Sequence, residues 1–247
     1  MILNTEEYPI SIGNEIKYTK EVYDCLQLLR LRTILKEYEV NLILDVGANE
    51  GQFASVLRDI GYVGTIISFE PLSKEYRLLS QAASKDSNWY TYNLALGKQN
   101  KEQILHVSDK STFSSFLLSN SLCEQRFGKE SIGDKNEVVS VRRLDNFLVE
   151  VVKNIDKMRI YLKMDTQGYD LEVFSGAGTL LKNIVALQSE VSVVPIYHSM
   201  PDMLYSISLF QEAGFSLSGM YPVTYVKPTL QVIEFDCLMV KADTKIS

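Results

Sequence analysis

The chain is 247 residues long, with 31 acidic against 25 basic side chains and a formal net charge of −6. That length suits one α/β domain that folds without a disulfide or metal staple. An acidic balance with no clustered Lys and Arg argues against a nucleic-acid partner. No apolar run nears the ~20 residues that cross a bilayer, and no basic-then-apolar leader opens the chain. Cys25, Cys123 and Cys237 form an odd, scattered set read as reduced thiols, so a cytoplasmic protein is expected.

Residues 1–40 read as an N-terminal helical extension: Val22, Leu26, Leu29, Ile34 and Leu35 recur at roughly helical spacing between Thr19 and Tyr38. Residues 41–247 read as one domain. Leu42-Ile43-Leu44 and Thr65–Phe69 are apolar at consecutive positions, as in strands covered on both faces. Between them Phe53, Val56, Leu57 and Ile60 form a helical stripe ended by Gly61, which completes a βαβ unit. Ser73–Ser84 is a predicted helix and Trp89–Leu96 a third strand. Gln103–Val107 and Glu137–Val141 are predicted strands around a Ser-rich stretch, Ser108–Asn136, whose length suits a lid or binding loop. Strands follow at Arg159–Met164 and Ile184–Glu190, with helices at Tyr169–Phe174 and Met203–Ala213. Phe215–Tyr225 and Leu230–Val240, parted by Lys227-Pro228-Thr229, read as an antiparallel hairpin. The sum is a single doubly wound, Rossmann-like sheet with an antiparallel strand near its end.

Ligands of such sheets bind beyond the carboxyl ends of the strands. Polar groups close every buried run here: Asp45 to Gly51, Glu70-Pro71, Asn93 to Ala95, Asp165 to Gly168, and Glu190. Gly47 and Gly51 allow a tight turn, but G-x-x-x-G is neither the dinucleotide G-x-G-x-x-G nor a P-loop. Asp45 suits a ligand with a cationic group better than a pyrophosphate. Glu70, 25 positions on, can accept from both hydroxyls of a ribose. A ribose-bearing cation without phosphate fits S-adenosylmethionine better than a nicotinamide cofactor.

Leu44-Asp45-Val46-Gly47-Ala48-Asn49-Glu50-Gly51, Phe69-Glu70-Pro71 and Leu162-Lys163-Met164-Asp165-Thr166-Gln167-Gly168-Tyr169-Asp170-Leu171-Glu172-Val173 resemble the FkbM family of S-adenosylmethionine-dependent methyltransferases. Asn93–Gly97, Arg143-Leu144-Asp145 and Gln188–Val191 extend the resemblance from about residue 41 to residue 240. It implies the class I methyltransferase fold, a seven-stranded sheet with the last strand antiparallel. It implies that the loop of Asp45, Gly47, Asn49, Gly51 and Phe53 faces the methionine part of S-adenosyl-L-methionine. Glu70 and Pro71 would face its ribose, Asn93 and Ala95 its adenine, with Asp165 and Gln167 nearby. The family often has Glu where this chain has Gln167, which puts a charged role there in doubt. The typical acceptor is a hydroxyl of a sugar, glycan or polyketide-derived ring, so O-methylation in glycan biosynthesis is the implied activity.

Transfer to an alcohol requires a group that takes the hydroxyl proton, or a metal that acidifies it. The candidate proton acceptors are Asp165, His198 and Glu190; His106, inside a predicted strand, is read as non-catalytic. Asp165 and Glu190 could share a divalent cation, yet no ligand set has diagnostic spacing, and no metal residue is assigned. Lys163 reads either as a solvated residue or as a neighbour that keeps Asp165 ionised. Ser111-Thr112-Phe113-Ser114-Ser115-Phe116 interleaves hydroxyls with aromatic faces, as sugar recognition needs, and as an ordinary loop also can. A nicotinamide-dependent sugar-modifying enzyme and a non-catalytic methyltransferase-like module are the competing readings. The first lacks G-x-G-x-x-G and a Tyr-x-x-x-Lys pair, and homo-oligomerisation stays open.

Overall fold

Strands with no polar face must be covered by helices on both sides, and two strands here are buried at all five positions. The computed structural model describes residues 12–226, 229 and 231–242, with side chains from residue 20. In chain order the elements begin with α1 (Ile12–Glu37), β1 (Leu42–Val46), α2 (Gln52–Asp59), β2 (Thr65–Phe69) and α3 (Ser73–Ala83). Then come β3 (Trp89–Tyr92), β4 (Ala95–Leu96), β5 (Lys101–Ser108), α4 (Ser121–Phe127) and β6 (Gly133–Arg142). The chain continues through α5 (Leu144–Val151), β7 (Ile160–Met164), α6 (Asp170–Gly176) and β8 (Ile184–Ser192). It ends with α7 (Met203–Glu212), β9 (Phe215–Val226) and β10 (Gln231–Lys241).

Seven strands form one sheet in the order β3-β2-β1-β7-β8-β10-β9. β10, the last strand, runs antiparallel to β8 and to β9, while β1, β2, β3, β7 and β8 pair in parallel. This is the doubly wound class I methyltransferase sheet that the sequence motifs implied. The winding reverses between β1 and β7, which opens a crevice at their carboxyl ends. The predicted hairpin forms, but Lys227, Pro228 and Leu230 of its turn lie outside the described residues, as do residues 1–11 of the expected extension. No helix among the described residues is long and apolar enough to cross a membrane.

Two expectations need correction. The predicted strand Trp89–Leu96 breaks at Asn93, whose side-chain amide donates to the carbonyls of Glu70 and Pro71 at 2.9 Å each. That clip turns the chain out of the main sheet. β4 therefore joins β6 and β5 in a separate three-stranded sheet, so the fold holds two sheets rather than one. The apolar residues of α1 do not share one face either. Leu31, Ile34 and Leu35 are buried against Ile43, Ala54, Tyr161 and Leu238, whereas Val22, Leu26 and Leu29 are exposed. The step of five from Leu29 to Ile34 breaks the three-or-four spacing, and at ~100° per residue the two sets face opposite ways.

Residue parity sorts the sheet. Leu42, Leu44 and Val46 of β1, with Ile160, Leu162 and Met164 of β7, pack with α5, α6 and α7. Ile43 and Tyr161 face α1, α2 and α3, and Asp45 and Lys163 share their parity. Asp45 pairs in register with Lys163 on one side and Ser68 on the other, so three polar residues stand in a row inside the sheet face.

Candidate active site

A cavity of about 350 Å³ opens at the carboxyl ends of β1, β2, β7 and β8. That is within the size range of ordinary small-molecule sites. Val46, Gly47, Asn49 and Phe69–Leu72 line one wall; Leu94–Leu96 and Leu105 line another. Asp165–Gln167, Tyr169, Glu190, Val223, Thr224 and Glu234 complete the floor, and Ser111–Ser114 with Phe116 form the roof. The Ser-rich segment is thus a covering loop. It carries its own short turns and α4, and it is fastened from below: Ser115 Oγ donates to the Gln167 carbonyl at 2.7 Å.

The first loop is shaped by crowding within the protein. Gly47 has φ +77°, and a Cβ there would run into the Asp165 carbonyl, so only glycine lets the loop after β1 pass β7. Gly51, φ +93°, enters α2 against the Trp89 ring, away from the cavity lining. Asn49 donates its backbone N–H to Glu70 Oε2 at 2.9 Å, and Leu72 donates to Oε1 at 2.9 Å. Both carboxylate oxygens are thereby oriented, each with a lone pair left over. Burial nevertheless pushes the Glu70 carboxyl up to about 7.

Asp45 stands elsewhere than expected. It is fully buried within β1 and absent from the cavity wall. Lys163 Nζ lies 3.3 Å from Asp45 Oδ1 and 3.3 Å from Asp165 Oδ2. Ser68 Oγ donates to Asp45 at 3.2 Å and accepts from the Trp89 indole at 3.0 Å. Desolvation pushes the Asp45 carboxyl up while Lys163 pulls it down. The same two carboxylates, Asp165 and Asp45, hold the Lys163 ammonium in its charged form despite its burial. Phe53 lies 5.5 Å from the ammonium and covers it rather than a ligand. Asn93 is exposed and acts as the clip described above, while Ala95 lines the cavity.

Gln167 organises the floor. Its backbone is left-handed, φ +53°, which turns the side chain back over β7. Its amide nitrogen donates to Asp165 at 3.1 Å and to Glu190 at 3.0 Å. Its amide oxygen lies 3.0 Å from the Tyr197 hydroxyl, which also lies 3.0 Å from the Phe113 carbonyl. Asp170, part of the motif but given no role from the sequence, accepts from Thr166 N at 2.9 Å, Ser189 Oγ at 2.7 Å and Glu190 N at 3.2 Å. It ties the end of β7 to the end of β8. Glu190 is pushed well up by burial and by Asp165, Glu234, Asp236 and Asp170. Glu234 is the functional candidate that sequence reasoning missed. The one available signal was a carboxylate amid apolar neighbours in Val232-Ile233-Glu234-Phe235. His198 is exposed and outside the cavity lining, its backbone N–H bonded to the Leu118 carbonyl at 2.8 Å; as a proton acceptor it is out of place. Among the described residues no three His, Cys, Asp or Glu side chains are grouped to hold a metal ion.

The fold is similar to several solved structures at low identity. Fibrillarin from Aeropyrum pernix, solved with natively bound S-adenosyl-L-methionine, is 13% identical with a TM-score of 0.45 over 81% of this chain and 66% of that one. Magnesium protoporphyrin IX methyltransferase from Synechocystis PCC 6803 is 10% identical with a TM-score of 0.46 over 95% and 88%. No curated protein matches the sequence. The profile of the methyltransferase FkbM domain matches residues 45–217, which takes in the end of β1, the covering loop, Asp165–Gln167 and β8. With that match over more than half its length, the chain belongs to the FkbM methyltransferase family, whose cofactor is S-adenosyl-L-methionine.

Proposed function

We propose that the protein is an O-methyltransferase that moves a methyl group from S-adenosyl-L-methionine to a hydroxyl of a sugar, glycan or related polyhydroxylated natural product. The observation that carries this reading is the make-up of the cavity. Glu70, Asp165, Glu190 and Glu234 line it without any Lys, Arg or His among the described lining residues. Such a wall fits a cationic sulfonium, and the free lone pairs of Glu70 fit two ribose hydroxyls. Phe69, Leu94, Ala95 and Leu96 offer an apolar slot for the adenine. Bound there, the cofactor supplies an electrophilic methyl on a good leaving group.

The remaining work falls to the chain. Ser111, Thr112, Phe113, Ser114 and Phe116 cover the acceptor with hydroxyls and ring faces, and closing the roof excludes water. Asp165 and Glu190, spaced by the Gln167 amide, take the proton of the attacking hydroxyl, and positioning supplies much of the rate. Lys163 Nζ, 3.3 Å from Asp165 Oδ2, keeps that carboxylate oriented toward the cavity floor. Calorimetry with S-adenosylmethionine, followed by transfer of radiolabelled methyl to a panel of hydroxylated glycans, tests the reading. Alkali-stable methyl ether is the expected product; label only in amines or esters, or binding of NADH instead, would sink it.

A further inference from the structure

We infer that the acceptor bears a protonated amine close to the hydroxyl that is methylated, and that Glu234, beside Glu190, is the subsite that receives it. The inference rests on the methyltransferase reading and names the substrate class within it.

Each of the other lining carboxylates has a partner. Glu70 takes two backbone N–H groups. Asp165 has Lys163 and the Gln167 amide, and Glu190 has that same amide on Oε2. Glu234 is 5% exposed, lines the cavity, and its Oε1 is buried without a hydrogen-bond partner. Burial pushes its carboxyl up to about 7, and Asp165, Asp170, Asp236 and Glu190 all surround it with like charge; Thr224 gives it one hydrogen bond.

A buried carboxylate left like this is costly, and a neutral side chain of the same shape would be cheaper. Proton removal from the acceptor needs one carboxylate, which Asp165 or Glu190 already provides. The cofactor brings a single net positive charge to a wall of four carboxylates, Glu70, Asp165, Glu190 and Glu234, of which only Asp165 has a lysine beside it. An ammonium group has three donors to offer a carboxylate that lines the cavity and takes a single hydrogen bond. A metal ion is the poorer occupant, because the described residues gather no three ligands for one and the Gln167 amide stands between Asp165 and Glu190. Phosphorylated or uronic-acid acceptors would meet the carboxylate wall with like charge.

The test uses the full chain saturated with S-adenosylhomocysteine, with glucosamine, N-acetylglucosamine, glucose and glucuronate as probes at constant ionic strength. Saturation-transfer NMR should show glucosamine binding at least tenfold more tightly than its N-acetyl form, with glucuronate weakest. Glu234→Gln should erase that preference, and the S-adenosylhomocysteine affinity of the variant reports whether its cavity is intact. The comparison of amine with amide probes on the unaltered protein stands even if the variant misfolds. Equal or tighter binding of a neutral or anionic sugar, undetectable glucosamine, or an intact variant that keeps the amine preference overturns the inference. Failure to bind S-adenosylhomocysteine at all would instead bring down the cofactor reading beneath it.

Discussion

Two sets of acids sit on neighbouring strands of this sheet, each with one buried member, Asp45 or Glu234, and they are treated differently. On the face toward α1 and α2, Asp45 shares Lys163 with Asp165, accepts from Ser68 and is shut away from the cavity. On the cavity side, Glu234 stands close enough to Glu190 to raise it, and the two face no cation among the described lining residues. The first set has its counter-charge built in and holds β1 to β7. The second keeps its charge uncompensated, as a surface that waits for a ligand does. Removing charge should therefore weaken the protein at the first set and strengthen it at the second.

The sharpest way to break that contrast is Lys163→Met. It leaves Asp45 as a buried, unpaired carboxylate and should lower unfolding stability by about 3–5 kcal/mol in a denaturant titration. Adding Asp45→Asn should recover much of the loss. If the single variant were as stable as the parent, the internal ion pair would not be a structural clamp.

Next in size is Glu70→Ala. Hydrogen bonds to a charged group are worth about 1.5–3 kcal/mol each. Each lost ribose contact should therefore weaken S-adenosylmethionine binding by roughly 10- to 150-fold by calorimetry, with little change in the far-ultraviolet spectrum. Asp45→Asn, by contrast, should act on stability first, since Asp45 does not line the cavity.

The reverse sign belongs to Glu234→Gln. Glu234 titrates near 7 in the folded chain against an ordinary 4.5, so the native state binds the extra proton between those values. Its contribution to stability is full below about pH 4.5, falls as pH rises through 7, and is flat above. Substitution should thus stabilise the protein by about 1–3 kcal/mol at pH 8 and by almost nothing near pH 4.5. A variant equally stable or weaker at pH 8 would show that the carboxylate is already compensated.

The smallest expected effect is Ser115→Ala, which cuts the bond from the covering loop to Gln167 at a cost of about 1 kcal/mol. Proteolysis within residues 108–136 should speed up, and S-adenosylmethionine should slow it again. Unchanged cleavage would mean that the other ties of the roof, Tyr197 to Phe113 and Asn49 to Ser111 among them, hold it without Ser115.

Much of this is legible in residue order alone. Leu42–Leu44 and Thr65–Phe69 announce covered parallel strands because consecutive apolar positions leave no wet face. The polar residues after each run mark the crevice because ligands gather at the carboxyl ends of such strands. Asn93 hid the exit into the second sheet, since nothing local says that its amide will grip the Glu70 and Pro71 carbonyls 23 and 22 residues away. His198 follows a strand in sequence, yet the bend after Ser192 carries it to the surface.

Strand identity, winding and the family of the chain thus follow from residue order, because burial periodicity and loop motifs are local properties. Which carboxylate meets ligand and which meets lysine was decided only in three dimensions. Asp45 and Glu70 look alike at the ends of their strands. Cross-strand register sets Asp45 opposite Lys163 inside the sheet, whereas Glu70 stands one step past β2, where the loop turns it into the cavity. Glu234 comes from the far end of the chain, and only the insertion of β10 beside β8 brings its charge next to Glu190.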